Sequence, residues 1–144
     1  MQITKHEEWL KAKHIGFYWA IKAELPVTSL IEQAFLEDKN CYLPRTTKDK
    51  IDFISYNSKQ ELIPDYNQIL CPDTDEIRNN LDLIIVPCIG LHKSGHRIGY
   101  GKGYYDKFLA NSNAFTIAVA YKAQEYKADV HEAWDVACKL ALFC

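Results

Sequence analysis

Near the middle of the chain, Leu81 to Val86 (LDLIIV) is apolar at every position but Asp82 and is stopped by Pro87. A strand with one wet face alternates apolar and polar residues, so a run with almost no alternation has to be covered on both faces. That requirement points to a central strand lying between two layers. The rest of the chain supplies suitable neighbours. Ile15 to Ala20 (IGFYWA) and Ala114 to Tyr121 are short apolar runs of strand length, and Val136 to Phe143 reads as a last strand. Thr28 and Ser29 are followed by Glu32 at capping-box spacing and by Leu30, Ile31, Ala34 and Phe35 at helical intervals, which predicts a helix from about Ser29 to Asp38. Cys41 to Leu43 and Ile51 to Tyr56 read as strands of a hairpin across Arg45 to Lys50. Glu61 to Asp75 reads as loop, with a short helix near Thr74 to Asn80, and Tyr104 to Ala110 reads as helix. Strands alternating with helices predict an α/β domain with a largely parallel central sheet.

Length and charge narrow what such a domain does. A chain of 144 residues suits one domain spanning residues 1–144, and at that size folding buries roughly 68–70% of the unfolded surface. The formal net charge of −2 provides no overall basic field of the kind that gathers nucleic acid or anionic lipid, so any phosphate site has to be local. No run approaches the roughly 20 apolar residues that span a bilayer, and the opening MQITKHEEWLKAKH lacks an apolar signal core, so a cytoplasmic location is expected. The five cysteines, Cys41, Cys71, Cys88, Cys138 and Cys144, are widely spaced without a CxxC pair and read as reduced thiols. Cys88 lies near the start of the stretch that carries chemistry.

That stretch runs from Val86 to Asp106 (VPCIGLHKSGHRIGYGKGYYD). Three of the six glycines in the chain, Gly99, Gly101 and Gly103, alternate along it, which frees the backbone for positive φ and for N–H groups that converge on an anion. Arg97 and Lys102 add cations to the same loop, and a helix opening at Tyr104 directs its unpaired N–H groups there too. These are the ingredients of a phosphate cradle. The pattern is neither GxxxxGK[ST] nor GxGxxG, and His92 and His96 read as solvated loop residues rather than a metal pair.

The whole segment is similar to the signature of the 5-formyltetrahydrofolate cyclo-ligase family, which reads roughly V-P-G-x-x-F-D-x-x-G-x-R-x-G-x-G-x-G-Y-Y-D. It matches at Val86, Pro87, Gly95, Arg97, Gly99, Gly101, Gly103, Tyr104, Tyr105 and Asp106. Upstream, Tyr18 to Thr28 (YWAIKAELPVT) resembles the family's Y-x-P-x-x-x-E-V-D-T, and downstream Glu132 to Val136 (EAWDV) resembles its E-x-x-D-V. The resemblance implies three α/β/α layers and an ATP-dependent conversion of 5-formyltetrahydrofolate to 5,10-methenyltetrahydrofolate with release of ADP and phosphate. In that chemistry the γ-phosphoryl group makes the formyl oxygen a leaving group, and a folate nitrogen attacks the activated carbon.

By the same resemblance, Arg97, Ile98, Gly99, Tyr100, Gly101, Lys102, Gly103, Tyr104 and Tyr105 would hold ATP. Arg97, Lys102 and Tyr104 would act catalytically, and Asp106 would hold Mg²⁺. Trp19 and Glu24, with Tyr100 and Tyr104 at the seam, would bind the folate, Glu24 meeting the pterin's paired N–H donors. Lys139 stands where a second metal carboxylate often lies, and Lys5, Lys11 and Lys13 fall in no family context. The partner expected is a small-molecule substrate rather than nucleic acid or membrane, with the protein a monomer or weak dimer. The alternative is a truncated relative that binds nucleotide or folate without turnover.

Overall fold

A computed structural model describes residues 2–128 and 130–144. Its main sheet has six strands: β1 (His14–Gly16), β2 (Asn40–Thr46), β3 (Ile51–Tyr56), β6 (Leu83–Val86), β9 (Phe115–Ala120) and β10 (Leu140–Phe143). They lie in the order β10-β9-β6-β1-β2-β3, parallel throughout except for the antiparallel edge strand β3. The smaller hairpins are β4 (Leu62–Pro64) with β5 (Leu70–Pro72), and β7 (Gly90–Leu91) with β8 (Arg97–Ile98). The helices are α1 (Glu7–Lys11), α2 (Thr28–Leu36) and α3 (Tyr104–Ala110), with single 3₁₀ turns at Ile3–Lys5 and Lys122–Gln124.

The central run behaves as its composition requires. Leu83 and Ile85 face one layer with Ile117 and Val119, where Trp9 of α1 and Leu30, Ile31 and Ala34 of α2 cover them. Ile84 and Val86 face the opposite layer with Ala118, Ala120 and Phe53, under Leu109 of α3. Side chains that alternate between two covered faces produce the three-layer α/β/α sandwich with a largely parallel sheet.

Several local expectations are corrected. β1 stops at Gly16 instead of reaching Ala20: the Phe17 amide makes a last bond to the Tyr42 carbonyl of β2 at 2.8 Å, and Tyr18, buried in the core, turns its hydroxyl to the Leu25 carbonyl. The Ser29 capping box does not form: the helix starts at Thr28, its N-cap is Val27, and no side chain caps it. Residues 74–80 are not helical. There the carbonyl of Glu76 accepts from the Ser55 amide, the amide of Arg78 donates to Phe53, and Asn79 Oδ1 accepts from the Phe53 amide. The open edge of β3 needs those partners, and that demand outweighs a weak helical preference. Within the expected loop 61–75, Asp65 accepts from the amides of Asn67 and Ile69 and closes the β4–β5 turn. The last strand begins at Leu140, four residues later than Val136.

Candidate active site at the sheet's switch point

The five parallel strands place β1 between β2 on one side and β6 on the other, so the chain winds outward in both directions from the β1–β6 boundary. In open parallel sheets the loops leaving the carboxyl ends of such a pair diverge and open a crevice. Here the loop after β1 carries Trp19 and Glu24, and the loop after β6 carries the glycines. Topology therefore brings together residues some 75 positions apart in sequence.

Contacts across the crevice are specific. The Tyr100 hydroxyl reaches the Ile21 carbonyl at 3.5 Å, and Lys22 Nζ stands 5.0 Å from the centre of the Tyr100 ring. The Ile21 amide donates to Glu24 Oε1 at 3.0 Å. Gln124, in the turn after β9, donates to the Ala23 carbonyl at 2.9 Å and braces the far side of this loop. Burial pushes the Glu24 carboxyl up to about 7, against the pull of the Ile21 hydrogen bond. The Tyr105 hydroxyl is buried without a hydrogen-bond partner among the described residues. Burial, with the charge of Glu24 adding to it, raises its pKa. Trp19 is half-buried and packs on the core beneath the loop.

The glycine loop is open. A Cβ built on Gly99, Gly101 or Gly103 meets no heavy atom within 4 Å. Gly101 (φ +85°) and Gly103 (φ +70°) occupy the left-handed region, whereas Gly99 does not. Gly99 is therefore not required by strain or by internal packing, which leaves its bare backbone facing open space. Lys102 is exposed, as are Ile98 and Tyr100.

Arg97, Asp106 and Tyr104 are engaged with protein groups. Arg97, its side chain 7% exposed, pairs with Asp106 Oδ1 at 3.0 Å. The same guanidinium donates to the Val136 carbonyl, and the Val136 amide donates to Asp106 Oδ1 at 3.0 Å. One peptide segment of the 132–136 stretch is thus clasped by an ion pair that joins β8 to the first turn of α3. The Tyr104 hydroxyl donates to the Thr47 carbonyl at 2.6 Å and accepts from Asn67, which ties α3 to the β2–β3 turn. Its ring also lines a groove of about 320 Å³ with Lys50 and Lys107, on the α3 side of the sheet rather than in the crevice.

Other groups are plainly structural. Gly95 has φ +93°, and a Cβ there would stand 2.1 Å from the Cys138 carbonyl oxygen, so the β7–β8 turn presses directly on the stretch before β10. His92 is buried instead of solvated, bonded to Ser94 and the Lys127 carbonyl, while His96 stacks on His131 at 3.7 Å. No group of three His, Cys, Asp or Glu side chains able to hold a metal occurs among the described residues. The five cysteines are unpaired, and burial pushes the Cys88 thiol up to about 12. The N-terminal residues pack at the amino edge of the sheet, His6 against Phe115 and the Lys13 amide on Asp82, at the opposite end from the glycine loop. No helix among the described residues is long and apolar enough to cross a membrane.

The clasp on Val136 is invisible in the sequence because backbone groups make half of it, and the brace from Gln124 joins residues with no motif between them. The resemblance of EAWDV to the family pattern is the one signal that marks the clasped stretch.

Comparison with known proteins identifies the family and the fold. The chain is 29% identical to mouse 5-formyltetrahydrofolate cyclo-ligase over 140 residues, covering 85% of this chain and 69% of the mouse protein. It is 29% identical to the Haemophilus influenzae 5-formyltetrahydrofolate cyclo-ligase over 148 residues, covering 93% of this chain and 79% of that one. Its fold matches the solved structure of Aquifex aeolicus 5,10-methenyltetrahydrofolate synthetase with a TM-score of 0.82 and 29% identity, over 97% of this chain and 73% of that one. The Mycoplasma pneumoniae 5,10-methenyltetrahydrofolate synthetase shares the fold at a TM-score of 0.72. Because the model of the family also matches residues 1–143, the chain belongs to the 5-formyltetrahydrofolate cyclo-ligase family.

Proposed function

We propose that this chain catalyses the ATP-dependent closure of 5-formyltetrahydrofolate to 5,10-methenyltetrahydrofolate, releasing ADP and phosphate. The observation that carries the reading is the meeting of an open glycine loop with the half-buried carboxyl of Glu24 at the β1–β6 switch point. A phosphate donor on one side and a ring bearing paired N–H donors on the other would then lie next to each other. Holding two reactants in contact and neutralising the charge between them is what such a site contributes to transfer.

The residues divide by setting. The backbone of Gly99, Gly101 and Gly103 is free to approach phosphate oxygens, and exposed Lys102 is available to neutralise their charge. Arg97 acts chiefly by position, since its guanidinium fixes the loop to Asp106 and Val136. Tyr104 likewise anchors the start of α3 through Thr47. Glu24 in its ionised form offers two acceptor oxygens to the pterin N–H pair. Trp19 lies under that loop, and Tyr100 bridges the two sides.

The donor set fits Mg²⁺ as a nucleotide-borne ion. Asp106 uses Oδ1 for Arg97 and Val136, so Oδ2 is the oxygen that would hold the ion, with phosphates and waters completing the shell. Bound there, Mg²⁺ would neutralise charge on the transferred phosphoryl group.

A second reading, a relative that binds nucleotide or folate without turnover, is favoured by the placement of the N-terminal residues at the amino edge of the sheet, where they bring no cation to the loop. Mixing the protein with MgATP and 5-formyltetrahydrofolate separates the two. Growth of the methenyl-folate absorbance supports the enzyme, whereas saturable binding of both ligands with a flat trace supports the binder.

A further inference from the structure

Lys22 holds a backbone conformation that residues with a side chain seldom take. Its φ is +50°, in the left-handed region, and it is exposed. The other two non-glycine residues with positive φ have local reasons: Asp38 follows the last turn of α2, and Gln68 closes the β4–β5 turn through its amide on the Asp65 carbonyl at 3.0 Å. Around Lys22 the backbone is fixed by its neighbours. The Glu24 amide donates to the Ile21 carbonyl at 3.0 Å, the Ile21 amide donates to Glu24 Oε1 at 3.0 Å, and Gln124 donates to the Ala23 carbonyl at 2.9 Å. A glycine would satisfy that turn without strain. The lysine side chain leaves the turn instead, and its Nζ stands 5.0 Å from the centre of the ring of Tyr100, the residue between Gly99 and Gly101.

That contact carries a cation from the loop after β1 onto the glycine loop. Arg97 is committed to Asp106 and Val136, and the N-terminal residues lie at the amino edge of the sheet. Lys22 makes no ion pair among the described residues, so its charge is available. It belongs to the same turn as Glu24, whereas Asp106 reaches the loop from the junction of β8 and α3. A strained, exposed residue whose side chain serves no internal packing and spans two loops of a crevice marks a functional position.

We propose that Lys22 is a catalytic residue whose ammonium meets the transferred γ-phosphoryl group where the glycine loop faces the Glu24 turn; this rests on the nucleotide reading above. In the transfer, the bond from the γ-phosphorus to the bridging oxygen breaks with its electron pair left on ADP, and a bond from that phosphorus to the formyl oxygen forms. Lys22 keeps its proton throughout and neutralises charge on the oxygens of the moving group. ADP lacks the group that Lys22 meets.

The test compares MgATP and MgADP affinity by calorimetry, steady-state turnover and thermal unfolding for wild type, Lys22→Met, Lys22→Gly and Lys22→Arg. Wild type binds MgATP more tightly than MgADP. Lys22→Met and Lys22→Gly raise the Kd for MgATP about 10-fold, leave that for MgADP unchanged, and lower kcat by about 10- to 100-fold while KM for 5-formyltetrahydrofolate stays within about two-fold. Lys22→Arg keeps most of the turnover. Lys22→Gly melts no lower than wild type, since glycine takes a φ of +50° freely, which separates its loss of turnover from any loss of fold. Unchanged kcat and ATP affinity in both uncharged variants overturn the proposal. Equal weakening of ATP and ADP overturns it by making Lys22 a support of the loop, and a change confined to KM for the folate overturns it by assigning the side chain to the other ligand. If wild type turns over but binds ATP and ADP equally, the role of Lys22 fails and the nucleotide reading stands; if wild type binds neither nucleotide, both fall.

Discussion

Burial holds the Glu24 carboxyl up to about 7, so its charge state changes close to neutral pH. The ionised form is the one with two acceptors for a pterin, so affinity for 5-formyltetrahydrofolate rises as pH increases from 6 to 8. Stability moves the other way. Between its ordinary value of 4.5 and about 7 the folded chain keeps a proton that the unfolded chain has lost, so stability falls as pH rises through that window and levels off above it. Glu24→Gln removes both slopes, and melting curves with folate titrations at three pH values check this; a Gln variant that keeps the wild-type slopes assigns them to another group. Lys102 is exposed on the open loop, and on the proposed function it would contribute one charged hydrogen bond to phosphate. Lys102→Ala weakens ATP binding by about 1.5–3 kcal/mol in calorimetry and leaves folate binding alone. Unchanged ATP affinity would turn that side chain away from the nucleotide. Both residues are legible in the sequence by type and motif. The raised pKa of Glu24 is not, because it depends on what covers the carboxyl after folding.

Helix α3 from Tyr104 to Ala110 and strand β3 from Ile51 to Tyr56 fall where local pattern puts them, since a turn glycine and an alternating run declare themselves within a few residues. Residues 74–80 do not, because their conformation is set by the unfilled edge of β3. The two kinds of glycine in the loop divide along the same line. Gly95 is demanded by the fold: alanine there combines a φ of +93° with an overlap on the Cys138 carbonyl, and Gly95→Ala destabilises by at least about 1–3 kcal/mol. Gly99 has open space around it, so Gly99→Ala changes stability by less than about 0.5 kcal/mol and acts on ATP affinity. Melting temperature against nucleotide Kd for the two variants reveals the contrast, and equal melting temperatures would contradict it. At the junction of β8 and α3, Asp106→Asn leaves the buried Arg97 guanidinium without its anion. Thermal unfolding should register a loss of about 1.5–3 kcal/mol, together with loss of Mg²⁺-dependent turnover. A variant with wild-type stability would show that the clasp is held by Val136 alone.

At the scale of the whole molecule, the sequence declares a layered α/β fold because a central run with two apolar faces admits few other solutions. The crevice is legible only by analogy, since nothing local says that the loop after β1 returns to the loop after β6. That follows from strand order, with β1 between β2 and β6, and from contacts such as Tyr100 on Ile21. On the proposed function, phosphate donor and folate share a single site at this crevice, so neither reacts without its partner. The direct measurement is the ratio of ADP formed to methenyl-folate formed in one reaction, with controls lacking either substrate. A shared site gives a ratio of about one, with negligible ADP when folate is omitted and no product when ATP is omitted. Steady ATP hydrolysis without folate, or methenyl-folate formed without ADP, would contradict it.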